Sequence, residues 1–152
     1  MKKLLLLLLF VGNVYANPIP QLLPNAILTP GASDPANLLP VDLKTLCTSG
    51  YTKTVRNVPE KLKKAVFASY GITSDFGKFE IDHLVSLQLS GNNTKGNLWP
   101  QSYLTLPLNA RRKDVLEGAL HRMVCKGKMP LAQAQKEVSE DWIIAYNKYV
   151  KK

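Results

Sequence analysis

Two adjacent side chains, Asp82 and His83, are the pair in this sequence best suited to shared chemistry. Histidine is the side chain whose ordinary pKa permits proton transfer near neutral pH. A carboxylate supplies hard oxygen to a divalent cation. Successive residues of a strand point to opposite faces, but distortion at a strand end can bring both to one site. After them come the turn-forming Ser90-Gly91-Asn92-Asn93 and the segment Asn97-Leu98-Trp99-Pro100-Gln101. Asn109 opens a helical stretch, where its amide oxygen could complete a metal's protein ligands. The other histidine, His121, has no carboxylate beside it and reads as packing or surface. An Asp-His pair alone is weak evidence, since such a pair is more often a hydrogen-bonded core pair.

The charge balance points to a class of partner. Lys and Arg number 20 against 11 Asp and Glu, for a net charge of +9 over 152 residues. The basic residues concentrate between Lys44 and Lys64 and again between Arg111 and Lys128. A basic domain attracts polyanions such as nucleic acid, anionic lipid or wall polymer. With 45% hydrophobic residues, the chain is too apolar to be wholly disordered, and its length suits one domain.

The first residues read as a targeting segment. Lys2 and Lys3 precede the apolar run Leu4 to Val11, and Val14-Tyr15-Ala16 places small residues around a cleavage position. The run is too short to span a bilayer as a helix. Residues 1–16 are therefore expected to be a signal peptide, cleaved after about Ala16, with the product secreted or periplasmic. In that oxidising setting Cys47 and Cys125 are expected to form one disulfide.

The elements that must position the chemistry follow. Residues 17–40 carry six of the ten prolines, which predicts an extended arm. Residues 41–152 form the globular domain. A short helix is expected over Asp42 to Leu46, a strand over Gly50 to Val55, and a helix from Pro59 to Gly71. Alternating Phe79, Ile81, Val85, Leu87 and Leu89 predict a strand over Lys78 to Leu89. Asn97 to Gln101 is expected to be a short second strand or an extended segment. A helix over Leu108 to Val124 would present Val115, Leu116, Ala119, Leu120, Met123 and Val124 as one apolar stripe. A last helix starts near Pro130.

Taken together, Asp82-His83, Asn97 and Asn109 resemble the signature of an HNH nuclease of the ββα-metal type. The three signature positions stand 14 and 12 residues apart, compact enough for a hairpin leading into a helix. Further stretches are similar to small exported bacterial HNH-type proteins: Thr29-Pro30-Gly31, Gly50 through Arg56, Asn97-Leu98-Trp99-Pro100-Gln101, and Lys113-Asp114 with Leu116-Glu117. The sequence departs from that pattern at Ser86, where many relatives have Pro, and at Ser90, where they have Gly.

The resemblance implies an α+β fold: a ββα-metal hairpin-helix core, flanking helices and one disulfide. It implies His83 as general base, Asn97 holding the loop that orients it, and Asp82 with Asn109 as metal ligands. Asn92 and Asn93 compete with Asn109 for that place. An all-oxygen ligand set favours Mg²⁺, or a similar ion such as Mn²⁺. Lys53, Arg56, Arg111 and Arg112 could contact phosphates, or be plain surface charge. The implied activity is phosphodiester hydrolysis with little sequence specificity, by a monomer acting on DNA ahead of RNA, without stable membrane insertion. Two other readings are a nucleic-acid-binding module whose catalysis has lapsed and an envelope protein that binds anionic polymer or lipid.

Overall fold

Helices begin where the sequence supplies caps or prolines. The Asp42 carboxylate accepts from the Thr45 amide at 2.9 Å and opens α1, Leu43–Leu46. Pro59 and Pro130 stand at the N-caps of α3, Glu60–Ser69, and α5, Leu131–Tyr149. Asn109 caps α4, Ala110–Cys125, its side chain accepting from the Arg112 amide. The computed structural model describes residues 22–151. The expected signal peptide (1–16) and the first residues of the proline-rich arm lie outside them.

The fold is mixed α and β, with one two-stranded antiparallel sheet. Strand β1 is Phe79–His83 and β2 is Leu98–Ser102, in a register that sets Asp82 opposite Trp99 and His83 opposite Leu98. Helix α4 packs along α5. Their shared core holds Leu116, Leu120 and Val124 against Ala134, Val138 and Trp142, all buried. Trp99 is fully buried in the core.

Three local expectations need correction. The segment Gly50 to Val55 is not a strand but helix α2, Tyr51–Val55. Gly50 adopts a left-handed φ of 85°, which turns the chain, and Tyr51 is buried. Tertiary packing overrides the strand preference of Thr, Tyr and Val there. The strand expected over Lys78 to Leu89 stops at His83. Beyond it Leu84, Val85, Leu87 and Leu89 are all buried, on a loop and a 3-10 turn over Leu87–Leu89. The alternation reflected a buried apolar run and not a two-faced strand. Finally, α5 is interrupted at Asp141, whose φ and ψ are −159° and 95°. Its carboxylate caps the resumed helix by accepting from the Ile143 and Ile144 amides.

Residues 22–40 lie along the domain as turns, with 3-10 segments at Gly31–Ser33 and Pro35–Asn37. Their polar groups are tied into the body. Thr29 Oγ1 donates to the Leu98 carbonyl at 2.9 Å, and Trp142 Nε1 donates to the Leu22 carbonyl at 2.7 Å. Gly31 has a φ of 55°, and a Cβ there would collide with the Ser139 and Leu84 side chains. Cys47 and Cys125 form a disulfide across 78 residues of sequence, tying α1 to the end of α4.

Candidate functional site

His83 ends β1 and is buried, 2% exposed. Its Nε2 lies 3.1 Å from Asn93 Oδ1. The Asn93 amide is held in one orientation, because its Nδ2 donates to the Val55 carbonyl at 2.8 Å and its Oδ1 accepts from the Asn57 amide. Since Oδ1 can only accept, Nε2 carries the proton and Nδ1 keeps its lone pair. Burial pulls the His83 pKa below its ordinary value, and the Arg56 and Lys113 charges act the same way. The Asn93 hydrogen bond and the Asp82 carboxylate oppose that shift without reversing it. The ring is therefore a neutral imidazole at neutral pH.

Asn97 fixes the loop that follows. Its Oδ1 accepts from the Val85 amide, and its Nδ2 donates to the carbonyls of Val85 and Asn92, each at 2.9 Å. The side chain is fully buried, and these bonds satisfy backbone groups of the turn. Gly91 permits the closure, since a Cβ at this position would run into the Val85 carbonyl.

Asp82 faces α4. Its Oδ2 accepts from Lys113 Nζ at 2.7 Å, and the same ammonium donates to the His83 carbonyl at 2.7 Å and to Glu117. Lys113 is fully buried and Glu117 nearly so. Burial pulls the Lys113 pKa down, but the two carboxylates outweigh it and hold the ammonium above its ordinary value. Burial drives Glu117 upward, and the Asp82 and Asp114 charges add to this against the pull of Lys113. Glu80 is raised by burial and by Asp82, and Asp114 by partial desolvation and by Asp82. Four carboxyl groups thus share this corner with the cations Lys113 and Arg56.

Among the expected site residues, Asp82 and His83 share the strand end but turn to different partners, α4 and the Asn93 turn. Asn109 stands at the α4 N-cap, where its Nδ2 donates to the Tyr103 carbonyl at 3.0 Å. Lys53 and Arg56 are exposed at the end of α2, and Arg111 and Arg112 are exposed in the first turn of α4. Cys47, His121 and Cys125 bring ligand atoms within 4.8 Å of one another. Both sulfurs are joined in the disulfide, so neither is a thiolate ligand in this state. Among the described residues, no helix is long and apolar enough to cross a membrane.

Sequence reading missed the burial of Lys113 and Glu117. From sequence, Glu117 reads equally as a supporting partner of Lys113 or Arg56 and as an exposed i,i+4 pair with Lys113, and the expected apolar stripe placed Val115 inside. Val115 is in fact exposed, and Lys113 and Glu117 join Leu116, Leu120 and Val124 on the buried face. The signal was there in the phase: positions 113, 116, 117, 120 and 124 follow a helical face. Asn93 was weighed as a metal ligand and not as the partner of His83. Compared with family models, with curated proteins and with solved structures, the chain shows no match in any of the three.

Proposed function

We propose that this protein is an exported, metal-dependent nuclease of the HNH type that hydrolyses phosphodiester bonds with little sequence preference. The observation that carries the reading is the His83–Asn93 hydrogen bond, which leaves Nδ1 as an unprotonated base at the end of a hairpin strand. A helix capped by Asn109 follows the hairpin, so the order of elements agrees with a ββα-metal core. His83 Nδ1 would take a proton from the water that attacks phosphorus. Asn97 holds the loop on which His83 depends. Lys53, Arg56, Arg111 and Arg112 offer exposed cations to backbone phosphates.

On this reading a hard divalent cation would be held by Asp82 and Asn109. Lys113 occupies one Asp82 oxygen and leaves Oδ1 without a protein hydrogen bond among the described residues. Asn109 Oδ1 takes only a long bond, 3.4 Å, from the Arg112 amide. Glu80 and Asp114, both coupled to Asp82, would add negative charge to the corner against Lys113. Mg²⁺ or Mn²⁺ held there would neutralise charge that develops on the phosphate.

A second reading, a nucleic-acid-binding module without catalysis, draws on two observations. Lys113 already satisfies Asp82, and His83 is 2% exposed. Plasmid cleavage by the oxidised protein separates the two. The nuclease reading expects cutting with Mg²⁺, none with EDTA, and loss of cutting in His83→Ala. DNA binding with no cutting under Mg²⁺ or Mn²⁺ would establish the binding module instead.

A further inference from the structure

Beside the strand that carries Asp82 and His83 lies a cavity of about 460 Å³ that shares only Arg56 with the residues of the proposed chemistry. Its volume is in the range that takes small ligands. Its apolar wall is aromatic. The Phe67 and Phe76 rings stand 4.8 Å apart and tilted by 57°, and Phe79 meets Phe67 edge-on at 6.5 Å. Phe67 is buried, whereas Phe76 is 47% exposed and offers ring surface to solvent.

Two cations line the same cavity, Arg56 and Lys63. Among the described residues Arg56 has no carboxylate partner, and Lys63 makes only a long, exposed contact with Glu60 at 3.5 Å. The fourth wall is β1, through Glu80 and Ile81. The sheet register fixes what this wall presents. The Leu84 amide donates to the Asn97 carbonyl, and the Tyr103 amide to the Lys78 carbonyl. By antiparallel alternation, even-numbered residues of β1 bond to β2, and the backbone groups of Ile81 and His83 turn to the other edge, while the Phe79 amide is taken by the Phe76 carbonyl. The Lys113 bond to the His83 carbonyl obeys the same rule. Aromatic rings, two cations and the Ile81 backbone groups therefore meet in one pocket, with Glu60 and Glu80 also in its lining, one residue along the strand from Asp82.

We propose that this pocket takes a single unpaired nucleobase, stacked on Phe76 and Phe79, while Arg56 and Lys63 hold its flanking phosphates. The proposal rests on the nuclease reading for its substrate and sharpens it: the strand bound for cutting is single-stranded or locally unpaired. A base inside a duplex has no free face to offer the ring, whereas an unpaired base does. Arg56 joins pocket to site, since its charge also acts on His83.

The test uses the full oxidised chain in EDTA, which keeps metal from acting, with a single-stranded oligonucleotide carrying 2-aminopurine and its duplex counterpart. The expected result is a fluorescence change on single-strand binding, and roughly tenfold weaker single-strand binding in Phe76→Ala. Phe76→Trp should retain the affinity, and duplex affinity should not move. Unchanged single-strand affinity in a folded Phe76→Ala overturns the proposal. Should that variant unfold, Lys63→Gln on the exposed rim decides: weaker single-strand binding supports the pocket, and unchanged binding overturns it. A chain that passes this test yet never cuts DNA ends the nuclease reading and leaves the pocket standing. A chain that cuts and fails it does the reverse.

Discussion

Lys113 Nζ lies 2.7 Å from Asp82 Oδ2 and is fully buried, so the carboxylate best placed for a cation already holds an ammonium. The ammonium also bonds the His83 carbonyl and Glu117. One α4 side chain thus pins the end of β1 from below and sets the height of both Asp82 and His83. Releasing the lysine would leave the buried ammonium and the Asp82 carboxylate uncompensated.

Removing that lysine should be costly. Taking one partner from a buried pair leaves the other uncompensated, at about 3–5 kcal/mol. Lys113→Met should therefore lower unfolding stability in urea at neutral pH by an amount of that order. A loss below about 1 kcal/mol, the value of a surface pair, would show that the ammonium is not confined as described.

Glu117 gives the cluster a pH signature. Burial raises its folded pKa from the ordinary 4.5 to about 8. The folded state then holds a proton that the unfolded state has released, so this group's contribution is full below 4.5 and is lost as pH rises through about 8. Glu117→Gln cannot ionise and should lose that component. Urea midpoints of both proteins across this range should diverge in slope, the wild type falling more steeply with pH. Parallel curves would refute the shift.

Asn93 should govern His83 more than stability does. The folded pKa of His83 is depressed, so its neutral form is present above the ordinary value and is lost only as pH falls below it. If the nuclease reading holds, the acid limb of the pH–rate profile should lie below 6.5, the ordinary histidine value. His83→Ala should cost about 10²- to 10⁴-fold in rate, the range for a general base. Asn93→Ala removes the bond that favours the charged ring and fixes the tautomer. It should lower the rate and move the acid limb further down. A Phe-like indifference to pH in the wild type would remove His83 as the base.

Much of the site was legible in sequence because its parts are local. Asp82 and His83 are neighbours, Asn97 follows a turn cluster, and Asn109 is the cap its residue type suggests. What escaped was what packing decides. The Lys113–Glu117 pair looks like a surface i,i+4 pair until the hairpin covers it. Asn93 contacts His83 only because α2 closes over the turn, and α2 itself read as a strand. Residues 17–40 read as an extended arm, yet Thr29 reaches the Leu98 carbonyl across 69 residues of sequence. Long-range closures of that kind leave no period to read.

Arg56 carries the last prediction. It is exposed at the end of α2, unpaired among the described residues, and its charge reaches both His83 and Asp114. A cation that meets a phosphate releases a counterion, and its loss should reduce the slope of log affinity against log salt by about 0.7–0.9. Arg56→Gln should show that reduction and weaken binding alike across sequences, because the contact reads backbone and not bases. Lys136 on α5, paired with Glu140 at 3.8 Å, is the control and should leave the slope unchanged. An Arg56→Gln slope equal to wild type would place the nucleic acid on another face. An equal drop in both variants would mean diffuse attraction by the net charge and no defined groove.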